Sequence, residues 1–226
     1  MENLQDRVYN LLFKAILELE YIPGQRIVDK ILIQELGVSR TPIREALVRL
    51  KRDGLLTVIP QSGTFISKID LHSALDARFL RENIEKIIVR DNVGSITKQQ
   101  LTEQYRILDD QREAIKANDT LKFFYLDNKF HENFYHFIDK SDIWSWVETA
   151  SIQLNRFRLL RLNNSELPWH NIIDQHVQII DAVANGDKAQ AEAVARLHLE
   201  LMLNEEDKML HTFPDYFTNT NDLSPL

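Results

Sequence analysis

Residues 4–67 restrict the fold more than any other segment, because three helical patterns are followed there by two short strand patterns. The helical patterns cover about 4–19, 29–36 and 41–52, and the strand patterns cover LLTVI (55–59) and TFIS (64–67). The turn sequence PQSG joins the two strands. Three helices and a small hairpin in about 65 residues predict a winged helix-turn-helix, which we assign to residues 1–68.

Local signals set the boundaries of these helices. Gly37 is the predicted end of the second helix, because glycine readily adopts the left-handed conformation that follows a helix. Thr41 is the predicted N-cap of the third helix, with Pro42 as its first helical residue.

The rest of the chain carries no strand pattern. Helices are predicted near 71–93, 98–117, 120–139, 142–162, 169–185 and 187–211. The sequence therefore predicts a mainly α protein, with an all-α helical bundle at 73–213, a linker at 69–72 and a polar, irregular tail at 214–226.

Charge is unevenly distributed between these two predicted domains. The formal net charge of the chain is −7. Residues 1–68 hold 10 Lys and Arg against 8 Asp and Glu, whereas the remainder holds 17 against 26. A slightly basic first domain and an acidic second domain indicate different partners, although the contrast alone does not establish DNA binding.

Composition excludes several classes of protein. The chain has no cysteine, which rules out disulfides, thiolate catalysis and cysteine-ligated zinc. No apolar run approaches the roughly 20 residues that a membrane helix needs, and the first residues, MENLQDRVYN, lack a signal-peptide pattern. We expect a cytoplasmic protein without a membrane partner.

The third helix begins with two arginines, Arg40 and Arg44, on either side of Thr41. In a helix-turn-helix the second helix of the motif, here the third helix of the domain, reaches base edges in the major groove with its N-terminal end. Arginine can bind guanine there with two hydrogen bonds. Arg49 lies further along and is placed to contact the DNA backbone. Two arginines alone would fit a solvated helix surface, but the turn before them and the wing after them favour DNA recognition.

Four ionisable residues of the predicted bundle interrupt apolar helix faces. They are Asp127, His131, His176 and His198. A buried carboxylate is costly unless it is paired or bound to a metal, and three imidazoles with one carboxylate suit zinc, nickel, cobalt, iron or manganese. The pattern therefore predicts a divalent-metal site. The alternative is that each residue is hydrogen-bonded in the core.

A metal site in the bundle also admits an enzyme, because three histidines with an open position occur in catalytic zinc centres. No H-E-x-x-H, G-x-S-x-G or glycine-rich phosphate-binding motif accompanies it. We therefore predict no catalytic residues. A metal that is itself the regulatory signal is a further alternative.

The first domain resembles a known family. The stretch PGQRIVDKILIQELGVSRTPIREALVRLKRDGLLTVIPQSGTFIS is similar to the DNA-binding domain of the GntR superfamily of bacterial transcription regulators. The resemblance implies that Arg40, Thr41 and Arg44 read or grip an operator. It also implies a DNA contact for Lys30 and a close approach of the wing-tip Gly63 to the minor groove.

The second domain resembles the metal-binding type of the FCD ligand domain, in the stretches FFYLDNKFHENF (123–134) and HVQIIDAVANGDKAQAEAVARLHLE (176–200). The resemblance implies that Asp127, His131, His176 and His198 hold a divalent metal, with zinc, nickel or manganese expected. It also implies a small carboxylate effector that completes the coordination sphere. Basic residues are candidates to bind that effector: Arg78, Arg81, Arg156 and Arg158.

Together these resemblances imply a ligand-responsive transcription regulator and not an enzyme. Repression is expected, because it is more usual in this family than activation. A homodimer is expected, because a palindromic double-stranded operator presents two half-sites to two recognition helices.

Overall fold

The computed structural model describes residues 3–220. The chain divides into two compact units, one formed by Met1–Leu71 with Phe213–Leu226 and the other by His72–Thr212. Residues 1, 2 and 221–226, which include the end of the predicted polar tail, lie outside the described residues. The predicted fold class is confirmed: the protein is mainly α, with a winged helix-turn-helix followed by a helical second unit.

Helices build the core of the first unit: α1 (Leu4–Leu17), α2 (Asp29–Leu36) and α3 (Arg40–Arg52). The apolar stripe of α3 is fully buried at Ile43, Ala46 and Leu50. Spaced at three and four residues, these side chains lie on one face of the helix and leave the opposite face free.

The start of α3 differs from the prediction. Ser39 occupies the N-cap position in an extended conformation, with φ −71° and ψ 169°, and Arg40 is the first helical residue. The assignment of Thr41 as N-cap is therefore wrong. The first four N–H groups of a helix have no intrahelical partner, so Pro42 fits anywhere in the first turn and does not fix the helix start.

A three-stranded antiparallel sheet forms the wing, in the order β1 (Arg26–Ile27), β3 (Gly63–Ile66), β2 (Leu56–Ile59). Phe65 of β3 pairs with Arg26 on one side and with Thr57 on the other. The first strand was not predicted, because two residues are too few to show an alternating pattern.

A second, two-stranded parallel sheet lies where a linker and a tail were expected. It joins β4 (Ile69–Asp70) to β5 (Phe217–Thr218), with Ile69 opposite Phe217. Both of those side chains are buried, and Asn219 Nδ2 donates to Asp70 Oδ2 at 2.8 Å. The tail segment up to residue 218 is thus ordered by pairing with a strand almost 150 residues earlier.

Seven helices form the second unit. They are α4 (Leu71–Asn92), α5 (Lys98–Ala117), α6 (Thr120–Phe137), α7 (Ser141–Ala150), α8 (Ile152–Leu162), α9 (His170–Ala184) and α10 (Lys188–Thr212). Thr97 and Gln100 form a capping box at the start of α5, and Asn118 ends it in the left-handed region at φ +51°. The helix predicted at 142–162 is two helices that meet at the buried Ser151.

The core of this unit lies between α4, α5, α6, α7, α9 and α10, with Phe130, Leu108 and Ile180 wholly buried. No helix in the described part of the chain is both long and apolar enough to cross a bilayer.

Candidate DNA-reading surface and metal centre

The exposed face of α3 presents Arg40, Thr41 and Arg44, all of which are solvent-exposed. The buried Pro42 and Ile43 lie between them and fix the helix against the unit's core. Within residues 3–220, no acidic side chain forms an ion pair with either arginine. The two guanidinium groups are therefore available to an external anion or base edge.

The other predicted DNA-contact positions lie on the same unit. Lys30 is exposed on α2, and Gly63 begins β3 with φ +136°. A Cβ atom added at Gly63 would lie 3.0 Å from Nε of Arg26. Arg26 therefore packs across the wing beside this glycine. The role of Arg26 was not predicted from the sequence, because the only local feature at this position is a strand of two residues.

Arg49, predicted to contact the DNA backbone, is half-buried and bound by side chains of its own unit. Its Nη1 lies 2.6 Å from Asp6 Oδ1, and its guanidinium carbon lies 3.9 Å from the centre of the Tyr9 ring. The Tyr9 hydroxyl donates to Asp53 at 2.6 Å. Burial, followed by the bond to Asp53, raises the pKa of Tyr9 to about 12. Arg49 thus fastens α3 to α1.

The four predicted metal ligands come together from three helices: Asp127 and His131 from α6, His176 from α9 and His198 from α10. One ligand atom of each lies within 4.8 Å of the others. Nε2 of His198 is 3.3 Å from Nε2 of His176 and 3.2 Å from Nε2 of His131. Oxygens of Asp127 lie 3.7 Å from Nε2 of His131 and 3.6 Å from Nε2 of His176.

Each histidine ring is oriented by an acceptor at its other nitrogen. Nδ1 of His131 lies 2.7 Å from Glu85 Oε2. Nδ1 of His176 lies 3.1 Å from Gln111 Oε1, and Nδ1 of His198 lies 2.9 Å from Gln175 Oε1. This network assigns a proton to each Nδ1 and leaves a lone pair on each Nε2.

The charge states suit ligands. Burial lowers the pKa of His176 to about 3, and burial together with the neighbouring histidines lowers the pKa of His198 well below its usual value. Burial alone would raise the pKa of Asp127, but Arg158 and then the histidines hold it well below its usual range. The cluster therefore offers neutral imidazoles at His176 and His198 and an ionised carboxylate at Asp127.

This arrangement fits a divalent metal. The Nε2 lone pair of His198 faces those of His176 and His131 at 3.2–3.3 Å, and such lone pairs repel unless a cation or a proton donor lies between them. Two nitrogens about 2.0 Å from one tetrahedral ion are about 3.3 Å apart. Arg158 Nη2 donates to Oδ2 of Asp127, and Oδ1 lies 3.6 Å from Nε2 of His176.

A cavity of about 80 Å³ adjoins the cluster. Three of the effector-binding candidates, Arg78 and Arg81 of α4 and Arg158 of α8, line it, and so does Arg161 of α8. Arg156 does not line it; this side chain is fully buried elsewhere, and its Nη1 donates to Gln153 at 3.1 Å.

The helical phase of α8 explains this difference. Leu154, Phe157, Arg158 and Arg161 are spaced at three and four residues and share one face. Arg156 is two residues from Arg158, so it points about 160° away around the helix. The same phase was legible in the sequence and would have identified Arg161.

Comparison with known proteins extends these observations. Residues 4–66 match the family model for bacterial regulatory proteins of the gntR family, and residues 76–201 match the FCD domain. An uncharacterized HTH-type transcriptional regulator in an unstable DNA locus of Streptomyces ambofaciens is 31% identical over 93% of this chain and 88% of its own length. The HTH-type transcriptional repressor RspR of Escherichia coli is 26% identical over 95% of this chain and 94% of its own.

Solved structures share the fold. Escherichia coli McbR/YncC is 20% identical, with a TM-score of 0.74 over 94% of this chain and all of the other. A GntR transcriptional regulator from Rhodococcus is 21% identical, with a TM-score of 0.71 over 92% of this chain and 97% of the other.

Proposed function

Because the chain belongs to the GntR family of bacterial regulatory proteins and carries an FCD domain, we propose that it is a metal-containing, carboxylate-responsive regulator. As a member it is a DNA-binding transcription regulator and not an enzyme. The proposal adds that its second unit holds a divalent ion and a small carboxylate effector. Occupancy of that site changes the affinity for a palindromic operator.

On the DNA side, Arg40, Thr41 and Arg44 read or grip the operator from the N-terminal end of α3, with Lys30 and the wing at Gly63 beside them. The exposure of these residues supports this role. Two copies of the chain bind two half-sites about 34 Å apart, which requires a homodimer. The repressor named among the relatives supports repression, and an operator partner implies a cytoplasmic location.

On the ligand side, the single observation that carries the proposal is the convergence of three Nε2 atoms whose rings are each fixed by an acceptor at Nδ1. Zinc, nickel or manganese, bound by Asp127 and the three histidines, supplies positive charge and an open coordination position. Glu85, Gln111 and Gln175 hold the imidazoles in the ligating tautomer.

Orphaned donors support an anionic effector beside this ion. Nε of Arg78 and Nη2 of Arg81 are buried with no hydrogen-bond partner among the described residues, and both side chains line the cavity. A carboxylate there would accept hydrogen bonds from buried N–H groups that otherwise stay unsatisfied.

The effector regulates DNA binding through its differential affinity for two states of the protein. His198 lies on α10, the helix that precedes β5 in the chain, and β5 pairs with β4 at the end of the first unit. Residues 213–216 join α10 to β5. A ligand that moves α10 would therefore act on the chain segment that leads into the β4–β5 sheet.

Metal content by mass spectrometry tests the proposal, with wild type compared with His198→Ala and with His136→Ala as control. His136 lies on α6 outside the cluster and contacts Ser141 and Glu132. About one divalent ion per chain in wild type and in the control, absent from His198→Ala, is the expected result. No bound ion in wild type after incubation with zinc, nickel or manganese would refute the metal site.

The operator affinity of the same samples distinguishes this proposal from the alternative in which the metal itself is the signal. We expect the metal-loaded protein to respond to a carboxylate. Operator affinity that follows the metal concentration alone would favour the metal-sensing alternative.

A further inference from the structure

The cavity beside the metal cluster has two polar ends. On α10, lining residues recur at helical spacing as His198, Leu201, Met202 and Glu205. Seven residues separate His198 from Glu205, so the two ends are about 10 Å apart along the helix. The metal cluster occupies one end, and the Arg161–Glu205 pair occupies the other.

Every arginine that lines the cavity already has its own carboxylate. Arg78 donates to Glu82 at 2.5 Å, and Arg81 and Arg158 donate to Glu85 and Asp127. Arg161 binds Glu205 through two hydrogen bonds, of 2.8 and 2.6 Å. The four arginines and their four carboxylates therefore balance in charge.

Unbalanced positive charge is therefore confined to the metal. An anionic group gains from that charge only at the cluster end. At the far end, a second carboxylate would meet a neutral pair and would compete with Glu205 for Arg161. Arg161 keeps one buried N–H, at Nη1, without a partner among the described residues, which leaves room for a neutral acceptor at most.

The walls between the two ends are apolar. Nine of the 17 lining residues are aliphatic or aromatic, among them Phe123, Phe124, Phe157 and Met202. The other eight are charged residues or histidines, and no Ser, Thr, Tyr, Asn or Gln side chain of residues 3–220 lines the cavity. A hydroxyl in the middle of the ligand would lose its water hydrogen bonds and find no replacement.

The volume limits the size of the ligand. The cavity of about 80 Å³ is about half of the 150 Å³ that admits benzene in an engineered protein core. An apolar body of about four carbons fits this space.

From these observations we propose that the effector is a short monocarboxylate with an aliphatic body, and not a dicarboxylate or a polyhydroxy acid. The inference rests on the proposed metal site. The carboxylate binds at the cluster, near Arg81 and Arg158, and the aliphatic body packs between Phe123 and Phe124 of α6, Phe157 of α8 and Met202 of α10.

Calorimetric titration of the full-length, zinc-loaded protein tests the proposal with three acids. Isovalerate is the aliphatic probe. In 3-hydroxybutyrate a hydroxyl replaces one of the methyl groups of isovalerate. Glutarate is an unbranched acid with a second carboxylate at the far end. Isovalerate is expected to bind at least about tenfold more tightly than either of the others, because each of the other acids places an additional polar group against the apolar walls.

A charge variant sharpens the test. Glu205→Gln keeps the size of the side chain but removes the charge that neutralises Arg161. The affinity ratio of glutarate to isovalerate should then rise by about tenfold. Glu200→Gln is the matched control, because Glu200 lies on the same helix but pairs with the exposed Arg196; its ratio should equal that of wild type.

The outcomes are distinguishable because the zinc content is measured before any acid is added. A chain that retains no zinc refutes the metal site of the proposed function and this inference with it. A zinc-loaded wild type that prefers glutarate or 3-hydroxybutyrate, or that binds none of the three acids, overturns this inference alone. The comparison of acids in wild type holds even if Glu205→Gln does not fold.

Discussion

The two units of this protein present their functional side chains in opposite ways. On α3 of the first unit, Arg40 and Arg44 are exposed and have no ion-pair partner among the described residues. In the second unit, His131 and His176 are buried, and each ring is fixed at one nitrogen by a neighbouring helix. The proposed DNA-reading surface thus keeps its donors free, whereas the proposed ion site holds its ligands in place without the ion.

This difference predicts how each unit responds to mutation. Removing an exposed, unpaired side chain changes binding with little effect on stability. Removing a buried ligand changes binding and stability together, because the partner groups remain buried.

The largest effect is expected at the metal cluster. Zinc at a free concentration about 1,000 times its dissociation constant should raise the free energy of unfolding by about 4 kcal/mol. His176→Ala should abolish this increase, because its Nε2 lies beside Nε2 of His198 in the cluster. Denaturant unfolding with and without zinc measures both values.

His136→Ala serves as the control and should keep the full zinc response, since His136 lies outside the cluster. A His176→Ala protein that zinc still stabilises by several kcal/mol would show that His176 is not a ligand.

The next effect concerns the exposed surface. Arg44→Ala should weaken operator binding by about 1–3 kcal/mol for each base that the arginine reads, while the free energy of unfolding changes by less than about 0.5 kcal/mol. Fluorescence anisotropy with labelled operator DNA measures the first quantity, and denaturant unfolding measures the second.

The matched control is Arg112→Ala, which removes another exposed arginine, from α5 of the second unit. Equal operator affinities for wild type and Arg44→Ala would contradict the assignment of α3 to the major groove.

A smaller effect is expected at the wing. Gly63→Ala should lower the free energy of unfolding by about 1–2 kcal/mol, because φ is positive and the new Cβ would press on Arg26. Gly24→Ala also has a positive φ but meets no atom within 4 Å, so it isolates the backbone strain. Thermal unfolding measures the loss of stability in both variants. A smaller loss for Gly63→Ala than for Gly24→Ala would show that the Arg26 side chain moves aside without destabilising the protein.

The smallest effect separates Arg49 from its neighbours on α3. Arg49→Ala should lower the free energy of unfolding by about 1 kcal/mol, because it removes the ion pair with Asp6 and the packing against the Tyr9 ring. A double-mutant cycle with Asp6→Ala should show coupling between the two positions. Two results together would assign Arg49 to the DNA-contacting surface instead. The losses in free energy of unfolding would be strictly additive, and Arg49→Ala would weaken operator binding as much as Arg44→Ala.

Strong local signals made much of the fold predictable. Gly37 ends α2, and the break after residue 93 and the start near 98 match α4 and α5. Residues 142–162 contain no glycine or proline, so nothing in the sequence marked the break at Ser151. The paired strands β4 and β5 are two residues each and far apart in sequence, and only the folded chain brings them together.

The candidate sites show the same division. Asp127, His131, His176 and His198 stood out because each interrupts an apolar face, and the structure brings all four together. Their partners Gln111 and Gln175 are ordinary helix residues in the sequence, so their roles depended on which helices pack together. Packing likewise decides which acidic residue of the chain pairs with each arginine of the cavity. The pairing of Arg161 with Glu205, 44 residues later, is an example.

The pairing of β4 with β5 has a consequence for the order of events during synthesis. The winged helix-turn-helix leaves the ribosome first, but the partner strand of β4 follows almost 150 residues later. At about 5–20 residues per second this delay is about 7–30 s. During that interval the nascent DNA-binding unit has an unpaired strand at its end, and it is completed only when the whole helical unit has been translated.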